Sequence, residues 1–282
     1  MAKETMITER LQALRVQMRR RRLAAYIVPT EDFHSSEYVG DYFKAREYLS
    51  GFTGSAGTLL IEADRAALWT DGRYFLQAQE QLTDSGITLM KSGQPGIPTL
   101  FDYLGEALSD GDAVGFDGRC VTGAFVEKLK EKTAGKRITF YGKEDLAGLI
   151  WKERPPLSAE PVWELSVDYA GLSGEKKLAG VREKMAGAGA DVFLTTDLSE
   201  IAWLLNLRGG DVRNTPVFLA YMLITQKRAV LCARESAFSE KIRKELKRTG
   251  VTLLPYESIE ELVSSLPAGQ RLLADEKKVN YR

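Results

Sequence analysis

One histidine, His34, is the whole supply of imidazole in this 282-residue chain. A hydrolytic triad needs a base beside its nucleophile, and a mono- or dinuclear metal centre ordinarily draws on imidazoles as well as carboxylates. His34 would have to serve alone. It lies in Asp32-Phe33-His34-Ser35-Ser36-Glu37, just after the first expected strand. A loop histidine with no spaced partner reads as a surface or packing residue before it reads as a ligand or base. Residues 51–58, GFTGSAGT, invite a phosphate-loop reading and fail it. They have neither the Walker lysine and hydroxyl pair nor GxGxxG spacing, and they lead into a strand where a phosphate site wants a helix N-terminus. Their glycines are expected to let the backbone take positive φ and pack tightly as it enters a hairpin.

Residues 69–75, WTDGRYF, are the most unusual stretch. An apolar strand ends at Trp69, Asp71-Gly72 makes a tight turn, and a helix starts near Arg73. The guanidinium therefore projects from a loop at a strand's end, where open α/β sheets place ligand contacts. Its planar fork can grip a carboxylate or a peptide carbonyl. The alternative is a salt bridge tying Arg73 to Asp71 or to a nearby loop carboxylate, and the residues alone leave both open. In residues 199–212, SEIAWLLNLRGGDV, an apolar helical face gives way to a sharp turn at Leu207-Arg208-Gly209-Gly210-Asp211. Arg208 and Asp211 are expected to pair and hold that turn.

The elements that must position these residues are written twice. IEADRAALWT at 61–70 matches ITQKRAVLCA at 224–233, and MRRRRLAAYIV at 18–28 matches MAGAGADVFLT at 185–195. SGITLM at 85–90 matches TGVTLL at 249–254, and VGFD at 114–117 matches LLAD at 272–275, all in the same order. Two related domains in tandem are expected. Leu11, Leu14, Val16 and Met18 predict an amphipathic first helix, closed by the basic run at 19–22, where cations suit the macrodipole. Strands are predicted at 24–28, 58–61, 65–69, 88–90 and 113–116, with helices at 74–82 and 99–108. In the second copy a hairpin is predicted from 220–224 and 229–232. Alternating strands and helices predict a mixed sheet covered by helices. Pro155, Pro156 and Pro161 mark the junction, so the domains are expected at 1–154 and 160–282. The first copy runs on for a helix and a strand beyond Asp117, whereas little follows Asp275, and the second copy is therefore expected to be truncated.

Lys plus Arg and Asp plus Glu number 39 each, so no net field gathers nucleic acid or an acidic membrane. Cys120 and Cys232 stand far apart with no CxxC, which predicts no disulfide framework and suits a reducing compartment. No apolar run approaches the roughly 20 residues of a membrane helix. A cytoplasmic chain is expected, without nucleic-acid or membrane partners.

SGFTGSAGT at 50–58, ALWTDGRYFLQAQEQ at 67–81, and SEIAWLLNLRGGDV with NTPVF at 214–218 together resemble the N-terminal half of the Xaa-Pro aminopeptidases. This is the aminopeptidase P family, in its long three-domain form, of the creatinase/prolidase (M24) metallopeptidase superfamily. The resemblance covers nearly the whole chain. It implies an α/β fold of two tandem creatinase/prolidase N-terminal-type domains, followed in the parent by a catalytic pita-bread domain absent here. That third domain is expected to carry two divalent metals, usually manganese, on two aspartates, one histidine and two glutamates. A metal-bridging hydroxide there attacks the bond before a proline in second position. The resemblance gives the arginine of WTDGRY, Arg73, a contact with peptide substrate, and gives His34 and Arg208 no role. It implies no catalytic or metal-binding residue in this chain, a proline-containing peptide as partner, a homodimeric parent, and a supporting part in substrate gating and assembly. The alternative is a non-enzymatic peptide- or histone-binding module of the same fold.

Overall fold

The structure, a computed structural model, describes residues 2–282, with side chains from Thr5 onward. The chain divides into two compact units, residues 1–156 with 280–282 and residues 157–279. In unit 1 the elements are α1 (Ala2–Arg20), β1 (Ala25–Pro29), α2 (Ala45–Ser50), β2 (Thr58–Glu62), β3 (Ala66–Thr70) and α3 (Phe75–Gln81). They continue with β4 (Ile87–Lys91), α4 (Leu100–Ala107), β5 (Ala113–Phe116), α5 (Gly123–Lys132), β6 (Thr139–Tyr141) and α6 (Leu146–Ile150). Unit 2 has β7 (Trp163–Glu164), α7 (Val167–Ala170), α8 (Gly174–Gly187), β8 (Val192–Thr195), α9 (Leu198–Leu205) and β9 (Leu207–Arg208). It closes with β10 (Ala220–Thr225), β11 (Ala229–Ala233), α10 (Glu240–Arg248), β12 (Val251–Pro255), α11 (Ile259–Ser264) and β13 (Leu272–Leu273).

The unit 1 sheet has the order β4-β3-β2-β1-β5-β6, with only β2 running against the rest. Strand side chains alternate between faces, and the core divides accordingly. Tyr26, Val28, Leu59, Ile61, Ala66 and Leu68 pack on one face with Ile7, Leu11, Leu14 and Met18 of α1. Ala25, Ile27, Leu60, Trp69, Val114 and Phe116 pack on the other with Leu100 and Leu104 of α4 and Val126 and Leu129 of α5. The buried stripe of α1 thus runs 7, 11, 14, 18, and Val16 stands outside it, 37% exposed, because a 3.6-residue turn carries it to another face. The basic run ends α1 as expected, but Arg21 is more than a solvated charge: its fork holds Glu144.

Unit 2 repeats this sheet. Its order is β12-β11-β10-β8-β13, with β10 as the reversed strand. The repeat holds to the level of register. Ile61 faces Ala66 where Ile224 faces Ala229, Ala25 faces Glu62 where Val192 faces Thr225, and Ala25 faces Val114 where Val192 faces Leu272. The four matched segments of the sequence are therefore equivalent strands. β10 and β11 are buried almost throughout, as strands covered on both faces must be. Both cysteines are free, and among the described residues no helix is long and apolar enough to cross a membrane.

Candidate functional site

Because β1, β3, β4, β5 and β6 all run the same way, the loops that leave their carboxyl ends share one edge of the unit 1 sheet. The residues singled out in the first copy lie on that edge. β3 ends at Thr70, and Asp71, extended at φ −94°, ψ 174°, caps a single 3-10 turn over Gly72–Tyr74. Its Oδ1 accepts hydrogen bonds from Arg73 N at 3.0 Å and Arg73 Nε at 2.9 Å, and its Oδ2 accepts from Arg73 Nη2 at 2.9 Å. These bonds hold the Asp71 carboxyl below the usual carboxylate range and raise Arg73 further. The two readings of Arg73 thus prove compatible. The ion pair is made, yet it uses only the Nε–Nη2 side of the fork. Nη1 has no partner among the described residues, and the side chain stays 70% exposed. A guanidinium carries five N–H donors, so its outer end remains able to grip a carbonyl or carboxylate.

The arginine is also supported from below. Its Cζ lies 5.3 Å from the centre of the Tyr74 ring, and Tyr74 OH shares a 2.6 Å hydrogen bond with Ser55 Oγ in the glycine-rich loop. That loop departs from expectation in one respect. Gly51 has positive φ, at 69°, and caps α2, whereas Gly54 serves by close approach: a Cβ there would lie 2.8 Å from Tyr74 Cδ1 and strike the Phe52 ring.

His34 is a packed loop residue, 1% exposed, at the end of β1. Asp32 organises that loop: its Oδ1 accepts from His34 N at 2.8 Å and Ser36 N at 3.0 Å, while its buried Oδ2 has no hydrogen-bond partner among the described residues. Arg208 does not pair with Asp211. It donates from Nη1 to the carbonyls of Ala202 and Leu207, both at 2.8 Å. The Asp211 carboxylate accepts instead from the backbone N–H of Glu160 at 2.9 Å and of Leu219 at 2.8 Å. The buried carboxylate satisfies a loop N–H and the N–H just before β10, and this outweighs a nearby arginine already served by carbonyls.

Among the described residues no three His, Cys, Asp or Glu side chains gather so as to hold a metal ion. Two arginines escaped the sequence reading. Arg119 follows β5 in a second Asp-Gly-Arg, a recurrence visible in the sequence. Arg46 lies buried in α2, and nothing in its surroundings in the sequence signals that.

The Creatinase/Prolidase N-terminal domain family matches this chain twice, at residues 10–152 and again at 153–282. The chain is 40% identical over 260 residues to Aminopeptidase P2 of Arabidopsis thaliana, covering 91% of this chain and 36% of that protein. It is 40% identical over 278 residues to the probable Xaa-Pro aminopeptidase P of Podospora anserina, covering 98% and 40%. The X-prolyl aminopeptidase of Caenorhabditis elegans, described as a cytosolic enzyme with a di-nuclear active site, superposes with a TM-score of 0.87 at 32% identity, covering 92% of this chain and 44% of that one. A tandem pair of mixed sheets of one topology is thus the creatinase/prolidase N-terminal fold used twice. This chain belongs to the creatinase/prolidase N-terminal family and matches the N-terminal region of Xaa-Pro aminopeptidases. It spans less than half the length of these relatives.

Proposed function

We propose that this chain is the non-catalytic N-terminal half of a metal-dependent Xaa-Pro aminopeptidase, in which the exposed end of Arg73 contacts the peptide substrate. The observation that carries this reading is the half-used fork. Asp71 fixes the guanidinium in direction while leaving its outer donors to solvent, the arrangement a positioned recognition group needs. In this reading the two divalent metals, manganese by expectation, are held in the part of the parent that this chain does not span. That part performs the hydrolysis, and the present chain gates the substrate and supports a homodimeric, cytoplasmic parent.

The test is kinetic. In the longer parent, Arg73→Ala should raise KM for an Arg-Pro-Pro peptide by roughly tenfold, the loss expected for one charge-assisted hydrogen bond, with metal content unchanged. Arg73→Lys should recover little of it, because an ammonium cannot keep the grip of Asp71 and present a planar end together. The 282-residue chain alone, supplied with manganese, should not turn the peptide over. Unchanged KM in Arg73→Ala would return Arg73 to a purely structural ion pair, and a parent that neither binds metal nor cleaves would favour the binding-module reading.

A further inference from the structure

Arg46 is 4% exposed and has no carboxylate within ion-pair distance among the described residues. A buried cation is costly unless its donors are satisfied, so their partners identify what the residue is for. Nε donates to Thr30 Oγ1 at 2.7 Å, Nη1 to the carbonyl of Phe52 at 2.8 Å, and Nη2 to the carbonyl of Gly54. The guanidinium also lies 4.7 Å from the centre of the Phe52 ring. Burial draws its pKa down to about 10, which leaves it charged at neutral pH. Local geometry makes this possible. α2 stops at Gly51, whose left-handed conformation turns the chain back over the helix and lowers the loop carbonyls onto the arginine one turn earlier.

With two carbonyls drawn inward, the loop residues between and after them face out. Thr53 N donates to Gln81 Oε1 at 2.9 Å, and Thr53 Oγ1 accepts from Gln77 Nε2 and Gln81 Nε2, both at 2.9 Å. Ser55 Oγ meets Tyr74 OH, and the Phe52 ring stands edge-on to Tyr74 at 6.0 Å and 80°. Thr70 Oγ1, at the end of β3, donates to Ala56 O at 2.6 Å. Phe52, Thr53 and Ser55, which reach Tyr74, Gln77 and Gln81, each carry or adjoin a carbonyl held by Arg46.

We propose that Arg46 is the positioning residue of the Arg73 site, fixing the loop at 51–57 so that Ser55 and Phe52 hold Tyr74 in place beneath the exposed guanidinium. The inference rests on the reading of Arg73 as a peptide contact. An arginine suits this task where a lysine does not, since three donors at fixed angles tie three acceptors on two segments.

The experiment follows Arg46→Lys and Ser55→Ala by two readouts, with Arg73→Ala as the reference for the second. The first is the NMR signal of Arg73 Nε–H in the present chain, which reports the order of the turn without any activity. The second is KM and kcat for an Xaa-Pro peptide in the longer parent. Arg46→Lys should broaden or shift the Nε–H signal and speed amide exchange at 51–57 by about tenfold or more, leaving β10–β12 unchanged. It should raise KM by a factor approaching that of Arg73→Ala, with kcat within about twofold, and add little to Arg73→Ala in the double variant. Ser55→Ala cuts the relay at the surface, where folding is not at risk, and should act in the same direction more weakly. An unperturbed Nε–H signal in both variants overturns the proposal, and so does a KM effect that adds fully to that of Arg73→Ala. If Arg73→Ala leaves KM unchanged, the peptide-contact reading fails, and the Nε–H signal alone then decides whether Arg46 positions the turn.

Discussion

Arg119 is held by Asp117 through the same three hydrogen bonds with which Asp71 holds Arg73. Its backbone N–H and Nε reach Oδ1 at 3.0 Å each, and Nη2 reaches Oδ2 at 2.9 Å. Both are Asp-Gly-Arg turns leaving parallel strands at one sheet edge, and the difference between them is burial. The Arg119 side chain is 26% exposed, lies 4.3 Å from the centre of the Phe33 ring, and has Asp145 at 3.9 Å. An identical local geometry therefore serves structure in one loop and presents a free donor end in the other.

Stability should separate the two. Arg119→Ala leaves the Asp117 carboxylate buried without its cation and is expected to cost about 2–4 kcal/mol in chemical unfolding of this chain. Arg73→Ala should leave the unfolding midpoint unmoved, because its ion pair is solvated. Equal losses in the two variants would remove the distinction.

The central glycines should diverge in the same sense. A Cβ at Gly118 would meet the carbonyl oxygen of Gly142 at 2.5 Å, whereas at Gly72 the nearest atom is Phe75 Cε2 at 3.8 Å. Gly118→Ala is expected to destabilise by about 1–3 kcal/mol, since the obstacle is backbone, and Gly72→Ala by less than about 0.5 kcal/mol. Thermal melts of the two single variants check this.

Asp211→Ala removes the acceptor of the buried Leu219 N–H and of the part-buried Glu160 N–H and should cost about 1–3 kcal/mol, while Asp211→Asn keeps one acceptor oxygen and should cost less. The order Ala worse than Asn identifies backbone satisfaction as the role. Arg208→Ala, by contrast, should leave the turn at Asp211 intact, which amide exchange at Leu219 would report.

Acid should act through Glu144. Hydrogen bonds from Arg21 and from the Tyr141 hydroxyl hold its carboxyl down at about 2, against 4.5 for the free side chain. A carboxyl lowered on folding stabilises the folded state above its unfolded value and loses that stabilisation as pH falls through its folded value. The loss falls between about 4.5 and 2. The side chain is 40% exposed, so the effect is screened and should shrink in salt. In Arg21→Ala the fall in melting temperature over that window should be shallower than in the unsubstituted chain.

Much of the fold was legible because strand pairing leaves a pattern along the chain. The hairpins at 58–70 and 220–233 show as apolar runs around a polar bend, and the matched segments anticipated equivalent registers in two sheets. The tight turn at Asp71-Gly72 and the pairing of Arg73 with Asp71 were legible from the residue types. Arg119 carries the same Asp-Gly-Arg tripeptide, and its burial does not show in it. Arg46 was illegible in principle: α2 has six residues, too few for a period to declare a buried face, and an arginine is ordinarily an exposed residue. The supposed pair of Arg208 and Asp211 failed because nearness in sequence says nothing about which backbone donors a distant segment brings.

The strand order also sets a timetable for synthesis. β1 pairs on one side with β2, close behind it in the chain, and on the other with β5, where Ala25 meets Val114. Closing the short loop is entropically cheap and closing the long one is not. All of β1 to β4 is synthesised before β5, so a sheet forming from them alone carries an open central edge, and the face that α5 will cover stays bare. β8 waits in the same way for β13. An unpaired edge of this kind is where a growing chain mispairs with its neighbours, and each unit remains open to that error until nearly its last strand is made.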